Sequence, residues 1–279
     1  AFSILQTSAD LSFVFSCIRT TGTYDSAANL LMRIIAFTDV HGSYDRLEET
    51  LRKEFSFDAV IVGGDLTTHG TAEEAASVIQ RLQTFGKPVL AVAGNMDLPS
   101  FDSAYETLGV NIDAKGIVVG DTGFFGVAGS PFTPMNTPYE ISETEITRRA
   151  TLGWREVDAA RWKIFVPHAP PRGTALDRIL IGKHVGSVAI REFVELHQPD
   201  VLVCGHIHES RGVDSLGRTQ MVNCGAAARG EYAVIEITDA VRIWFAVIAA
   251  PLVVSSRAVM LGVSIMISRQ RQIGRSLAM

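Results

Sequence analysis

The sequence predicts an α/β fold in which two β-sheets pack face to face with helices outside, a four-layer α/β/β/α sandwich. Three observations support this fold. Short, fully apolar runs bounded by Gly or Pro recur along the chain, as in strands that are buried on both faces. Amphipathic helical segments separate the first of these runs. The last part of the chain, residues 212–244, alternates short strands with Gly-rich turns, which predicts a second, antiparallel sheet.

The helices and strands follow from local patterns taken in chain order. Alternating strands and helices in the first hundred residues predict parallel strands with right-handed crossovers. A Gly-rich turn at 120–123 predicts a hairpin of two strands, and Ser142 with Glu145 three residues on forms a capping-box pattern at a helix start. The apolar periodicity predicts helices over residues 44–55, 72–85, 142–160 and 185–197.

Composition limits the classes of function. The chain has 279 residues and a net charge of −5, which gives no general attraction to nucleic acid or to anionic lipid. We therefore expect a small substrate and no nucleic-acid partner. The three cysteines, Cys17, Cys204 and Cys224, show no paired spacing, which predicts a reducing, cytoplasmic location.

The two ends differ from the rest of the chain. Residues 1–31 lack the basic start of a signal peptide, so we expect a poorly ordered N-terminal extension. Residues 32–244 form the predicted folded domain. Residues 245–279 form an apolar and then basic tail. Pro251 and Arg257 interrupt the apolar stretch, which favours a helical or poorly ordered tail over its alternative, a membrane anchor.

Five polar clusters directly follow apolar runs. Each cluster taken alone is explained by a helix cap or a turn, but five such clusters at successive strand ends are improbable by chance. Because the carboxyl ends of parallel strands in one sheet meet at one edge, we expect the clusters to converge on a metal site. The candidate ligands are Asp39, His41, Asp65, Asn95, His168, His206 and His208.

Seven ligands suit two cations that share one ligand. Carboxylate, amide oxygen and imidazole are accepted by Mn²⁺, Fe²⁺ and Zn²⁺. We expect two divalent ions, Mn²⁺ first, with iron, zinc or nickel as alternatives. A shared carboxylate allows a spacing of about 3.5–4 Å, with a hydroxide held between the ions as a nucleophile at neutral pH.

The clusters resemble the motifs of the calcineurin-like metallophosphoesterase superfamily: D-x-H, G-D, G-N-H-[DE], H and G-H-x-H. The resemblance spans about Arg33 to Trp244 and implies the same four-layer fold, built from mixed sheets. It implies a phosphoesterase in which the metal-bridging hydroxide attacks phosphorus in line with the leaving oxygen. It also implies two ligand sets: Asp39, His41, Asp65 and His208 for one metal, and the bridging Asp65 with Asn95, His168 and His206 for the other.

One position departs from the family pattern. The third motif has Met96 where the family usually has a His that is thought to protonate the leaving oxygen, and Met cannot do so. The departure favours phosphodiesters over phosphomonoesters. We predict catalytic roles for Asn95, and for His69 and His184 as replacements of the missing His; for the two histidines a cap or surface role is the alternative. His184 could instead hold substrate phosphate at a helix N-terminus.

Weaker features remain. Asn223-Cys224-Gly225 resembles an N-P-G loop that closes the site in relatives, with Cys224 expected to be a partly buried spectator. Arg172 either touches phosphate or is a solvated loop residue.

The residues after Asp65 lack the Arg that protein phosphatases of the superfamily carry, and no basic face suggests a repair nuclease. The alternative class is a non-catalytic scaffold, as in the retromer subunit with this fold, and metal content distinguishes the two. Membrane contact through the tail is not favoured.

Overall fold

The computed structural model describes residues 32–54 and 56–248. Predictions for residues 1–31 and 249–279, and for Phe55 at the end of the first predicted helix, lie outside these residues. The strands are β1 (Met32–Phe37), β2 (Ala59–Gly63), β3 (Val89–Val92), β4 (Gly116–Val119), β5 (Thr122–Val127), β6 (Trp162–Pro167), β7 (Val201–Cys204), β8 (Gly212–Leu216), β9 (Thr219–Asn223), β10 (Glu231–Ile237) and β11 (Val241–Val247). The α-helices are α1 (Tyr44–Lys53), α2 (Ala72–Gln83), α3 (Phe101–Thr107), α4 (Glu143–Glu156) and α5 (Val188–His197).

The strands form two mixed sheets. The first sheet has the order β11-β10-β1-β2-β3, in which β1, β2 and β3 are parallel, as predicted. The second sheet has the order β4-β5-β6-β7-β9-β8, with β5, β6, β7 and β9 parallel. The expectation that the motif-bearing strands share one sheet is therefore wrong, because β1 to β3 lie in the first sheet and β6 and β7 in the second.

The last part of the chain does not form a sheet of its own, contrary to the prediction. Strands β8 and β9 extend the second sheet, whereas β10 crosses to the first sheet and pairs antiparallel with β1, Ile34 opposite Ile235. The pairing gives β1 a hydrogen-bonded neighbour on both sides, so it lies inside the sheet and is almost fully buried. Strand β11 continues past the predicted domain boundary at Trp244, to Val247.

Two apolar cores explain the layers. Ile164 and Val166 of β6 belong to a core shared by both sheets, which also contains the buried faces of α1 and α2. Phe165, between them in sequence, points the other way and packs on Phe193 of α5, with ring centroids 5.2 Å apart. Alternate side chains of β6 thus serve the two sides of the second sheet. The predicted fold class, an α/β fold with two mixed sheets and flanking helices, is confirmed.

Helix starts follow their caps. The side chain of Ser142 accepts a hydrogen bond from the Glu145 backbone N–H, as predicted, and α4 ends at Glu156, short of the predicted residue 160. Helix α5 begins at Val188 and not at 185, because Ser187 is its cap. Helix α3 was not predicted; seven residues are too few to show a helical period. In the part of the chain that the structure describes, no helix is long and apolar enough to cross a bilayer.

Candidate metal centre

The seven predicted ligands come together from both sheets. Asp39 and His41 follow β1, and Asp65 follows β2. The remaining four follow β3, β6 and β7: Asn95, His168, His206 and His208. All of them lie just past the carboxyl end of a parallel strand, and the two sheets meet at these ends. The predicted convergence is therefore present, although it is built by two sheets and not by one.

One group of donors surrounds Asp39. The Nε2 atom of His208 lies 3.1 Å from a carboxylate oxygen of Asp39 and 3.4 Å from Nε2 of His41. The three ligand atoms lie within 4.8 Å of one another. The carboxylate of Asp39, which is fully buried, also accepts hydrogen bonds of 3.1 Å from the His206 backbone N–H. Asp39 thus joins the first motif to the last.

Asp65 lies between two imidazoles. Its Oδ2 atom is 3.8 Å from Nε2 of His41 on one side and 3.5 Å from Nε2 of His168 on the other. Its other oxygen accepts a hydrogen bond of 2.8 Å from the Met96 backbone N–H. A single carboxylate oxygen therefore faces both halves of the site.

Asn95 organises the second half. Its Oδ1 atom lies 3.0 Å from Nε2 of His168 and 2.7 Å from Nδ1 of His206. Asn95 and His168 are buried. The amide oxygen and the two imidazole nitrogens point at one another, as cation ligands do.

The donor set fits divalent cations. Nδ1 of His168 lies 2.9 Å from the Gly63 carbonyl, which can only accept, so Nδ1 carries the proton and Nε2 presents its lone pair to the site. Nδ1 of His41 is likewise held by the Thr68 hydroxyl at 2.9 Å, and its Nε2 faces Asp65. Ligands that are oriented from behind in this way are typical of metal sites.

Electrostatics point the same way. Burial alone would lower the pKa of His168, but the carboxylates of Asp65 and Asp39 raise it to about 9. Burial, together with His168, lowers the pKa of His206 to about 4, so that ring stays neutral. The hydrogen bond to Asp39 raises the pKa of His208. The two carboxylates thus create a negative potential that requires a cation, either a proton on imidazole or a metal ion.

Two glycines permit the close approach of these loops. A Cβ on Gly94 would lie 2.1 Å from Oδ1 of Asp65, and a Cβ on Gly205 would lie 2.2 Å from Oδ2 of Asp39. Neither position has room for any side chain. The Gly in the third and fifth motifs is therefore required by the carboxylates that pack against it.

The structural roles of two residues were not predicted from the sequence. Buried Asp97 accepts hydrogen bonds from the backbone N–H groups of Leu66 and Thr67 at 3.1 and 2.9 Å, and from Gly94 at 2.8 Å. It thereby fixes the third motif against the second. Its place in the motif was a signal, but its partners become visible only in the fold.

Asn223, the second of these residues, holds the last motif. Its buried side-chain amide donates to the carbonyls of Leu176, Gly205 and Ile207, at 3.2, 3.2 and 2.9 Å. Cys224 beside it is fully buried, whereas we predicted a partly buried residue. Burial raises the pKa of its thiol.

The two histidines predicted as catalytic lie in different surroundings. His69 is exposed, and its backbone N–H donates to the Met96 carbonyl at 3.3 Å, which places it beside the third motif. The prediction that His184 begins α5 is wrong, because the helix begins at Val188. Nδ1 of His184 lies 2.7 Å from the buried carboxylate of Asp177, in the loop before the helix. Arg172 is exposed on the same loop.

Comparisons with known proteins agree with this site. Residues 32–210 match the family profile described as calcineurin-like phosphoesterase. An uncharacterized protein of Methanocaldococcus jannaschii is 35% identical over 198 residues, covering 69% of this chain and 87% of that protein. A Thermus thermophilus protein of known structure aligns with a TM-score of 0.62 at 18% identity, over 77% of this chain and 98% of that one. A dimetal phosphatase from Danio rerio aligns with a TM-score of 0.52 at 12% identity, over 79% and 100%.

The two mixed sheets, with carboxylates and imidazoles gathered at their strand ends, are those of a metallophosphoesterase fold. The chain belongs to the calcineurin-like phosphoesterase family.

Proposed function

We propose that the protein is a two-metal-dependent phosphodiesterase that hydrolyses a small phosphate diester by in-line attack of water. The observation that carries the proposal is the position of Asp65, one oxygen of which faces His41 and His168 from between the two halves of the site. One cation would be held by Asp39, His41, Asp65 and His208. The other would be held by Asp65, Asn95, His168 and His206. Such ions supply positive charge to phosphoryl oxygens and lower the pKa of water, and Mn²⁺ is our first choice.

The residues of the chain do the orienting. The Gly63 carbonyl fixes the tautomer of His168, and the Thr68 hydroxyl orients the ring of His41, so that both Nε2 atoms face inward. The backbone bond from Met96 to Asp65 holds the central carboxylate in one rotamer. A site held this rigidly does not need to reorganise when charge develops on the phosphoryl group.

The preference for diesters rests on Met96. A thioether cannot donate a proton to a poor leaving oxygen, and a general acid is worth about 10² to 10⁴ in rate. His69 is the candidate replacement that lies beside the motif, because its backbone is bonded to Met96. His184 remains the second candidate, although its described side-chain contact is with Asp177. The cytoplasmic location stays a prediction.

The test is hydrolysis of bis-p-nitrophenyl phosphate and p-nitrophenyl phosphate by the chelated full chain, with Mn²⁺ added back. We expect Mn²⁺-dependent diester turnover that Asp65→Asn abolishes and that Asp121→Asn, in the exposed turn between β4 and β5, leaves intact. His69→Ala should slow turnover more than His184→Ala. A folded protein that hydrolyses neither ester with any divalent ion, and that retains no tightly bound metal, would instead be a scaffold.

A further inference from the structure

Two loops rise from the same edge of the second sheet as the metal centre. The loop of residues 128–142 follows β5 and the loop of residues 168–187 follows β6, and these two strands are parallel neighbours. Both loops are tied to the site. The Tyr139 backbone N–H donates to the Asn95 carbonyl at 3.0 Å. The Arg178 backbone N–H donates to the hydroxyl of Ser210, two residues after His208, at 2.8 Å.

Each loop tip exposes a pair of large apolar side chains. Leu180 and Ile181 are 89% and 83% exposed, and Phe132 and Met135 are 72% and 80% exposed. Among the large apolar side chains of residues 32–54 and 56–248, only Leu196 has a comparable exposed fraction. Single exposed apolar residues are ordinary, whereas two exposed pairs on loops that follow neighbouring strands indicate an interaction surface. We call these four side chains the apolar rim.

The tip of the second loop is a hydrogen-bonded turn. In the second loop, the Ile179 N–H donates to the Lys183 carbonyl at 3.0 Å and the Gly182 N–H donates to the Ile179 carbonyl at 2.7 Å, which closes a tight turn around Leu180 and Ile181. Asp177 anchors the base of this turn. The apolar pair is therefore held outward by its own backbone, at the cost of leaving both side chains in water.

The exposed charged side chains of the two loops are positive. Arg172, Arg178 and Lys183 are exposed, and the ion pairs formed among the described residues do not include them. The acidic residues of the two loops are engaged: Asp177 is buried, and Glu140 accepts hydrogen bonds from Thr133 and Thr137. The rim thus combines apolar tips with free cations in a chain whose net charge is −5.

We propose that the apolar rim docks on an anionic phospholipid surface and brings the metal centre to it. Convex tips that expose aliphatic and aromatic side chains next to cations match the boundary between headgroups and acyl chains, where apolar burial and attraction to anionic lipid add together. The charge sets the choice of occupant, because free cations next to apolar tips are complementary to anionic headgroups. The proposal concerns binding and stands whether or not the protein is a diesterase.

The test is co-sedimentation of the full chain with vesicles of phosphatidylcholine alone or of phosphatidylcholine mixed with phosphatidylserine. We expect binding to the anionic vesicles, reduced by added salt. Leu180→Ser/Ile181→Ser should weaken it by about tenfold or more, because two aliphatic side chains are lost from the interface. Arg178→Gln/Lys183→Gln should abolish the preference for phosphatidylserine. The matched control is Leu196→Ser, which is exposed near the far end of α5 and should bind as the wild type does.

Three results would overturn the proposal. One is wild-type protein that stays in the supernatant with anionic vesicles. Another is binding that the loop variants leave unchanged, which would place the contact elsewhere in the chain. The third is a wild-type dimer that becomes a monomer in Leu180→Ser/Ile181→Ser, which would assign the rim to a second copy. Far-ultraviolet circular dichroism of each variant confirms that the fold is retained.

Discussion

Replacing Arg149 by Met should destabilise the protein far more than the same change at its neighbour Arg148. Arg149 is 15% exposed, and its guanidinium lies 2.7 Å from the buried carboxylate of Asp113. The same nitrogen donates to the Tyr139 hydroxyl at 2.7 Å, and that hydroxyl donates to Asp102. Arg149 is thus the cation that faces two partly desolvated carboxylates.

The magnitude follows from what the substitution leaves behind. Removing one partner of a buried ion pair costs about 3–5 kcal/mol, because the other charge stays buried without compensation. Arg148 is 57% exposed and pairs with Glu145 alone, and such surface pairs contribute about 0–1 kcal/mol. We therefore expect Arg149→Met to lower the free energy of unfolding by about 3–5 kcal/mol at neutral pH, and Arg148→Met by less than about 1 kcal/mol.

The loss should depend on pH with a definite sign. Burial, and then the neighbouring Asp113, raise the pKa of Asp102 to about 6 from an ordinary 3.8. Burial also raises the pKa of Asp113, against the effect of Arg149, so Arg149→Met raises both pKa values further. The folded state then binds more protons than the unfolded state above about pH 4, and stability falls as pH rises through the folded pKa values. The deficit of the variant should be largest near pH 8 and smallest near pH 4.

Urea unfolding followed by tryptophan fluorescence at these two pH values measures the effect. Arg149→Met/Asp113→Asn is the matching double variant, and it should recover part of the loss because it removes the stranded charge. The reasoning fails if the two single variants differ by less than about 1 kcal/mol near pH 8, or if the deficit of Arg149→Met grows as the pH falls.

Three further predictions concern the site. Gly94→Ala places a methyl group 2.1 Å from Oδ1 of Asp65 and should reduce diester turnover about 10²-fold or more. The control is Gly212→Ala, whose methyl group would have its nearest contact at 3.7 Å and should leave turnover unchanged. Asn223→Ala leaves buried carbonyls without a donor and should lower the free energy of unfolding by about 1–3 kcal/mol, with weaker metal retention on dialysis; unaltered melting and metal content would contradict this. Met96→His should raise the ratio of monoester to diester turnover by about 10-fold or more, and an unchanged ratio would remove Met96 as the reason for the diester preference.

The candidate ligands were predictable because each one closely follows its strand in the sequence. An apolar run followed by Asp39 or by His206 indicates, from neighbouring residues alone, that a strand ends and that a possible metal ligand follows. The assignment of strands to sheets is not local. Ile34 pairs with Ile235, about two hundred residues away in the chain. Neither strand has a sequence feature that indicates with which other strand it pairs. The prediction of one sheet failed for this reason, although the prediction of convergence did not depend on it.

The residues that stabilise the site were hidden for a related reason. Asp97 contributes to no visible periodicity, and its role comes from N–H groups of Leu66 and Thr67 on another loop. Asn223 was noticed only as part of a loop resemblance, while its amide supports the loop of His206 and His208. Buried polar residues of this kind take their meaning from partners that are distant in sequence, and a single sequence does not give those partners.

The backbone at the metal centre is strained at four of the candidate ligands. Asp39, His41, Asp65 and His206 have positive φ angles of 55°, 46°, 51° and 65°, a left-handed conformation that costs about 1 kcal/mol or more for each residue with a Cβ. Gly adopts this conformation without that cost. The protein keeps ligand side chains there and offsets the strain with bonds between loops.

These bonds run from the first motif to the second. The backbone N–H of Asp39 donates to the Gly64 carbonyl at 3.0 Å, and the N–H groups of Val40 and His41 donate to the Asp65 carbonyl at 2.9 and 3.0 Å. Each strained ligand is therefore held by the loop of another ligand. The consequence is that the site forms as a unit: a change that frees one loop releases the strain stored in the next, so losses in metal binding from single loop substitutions should not add.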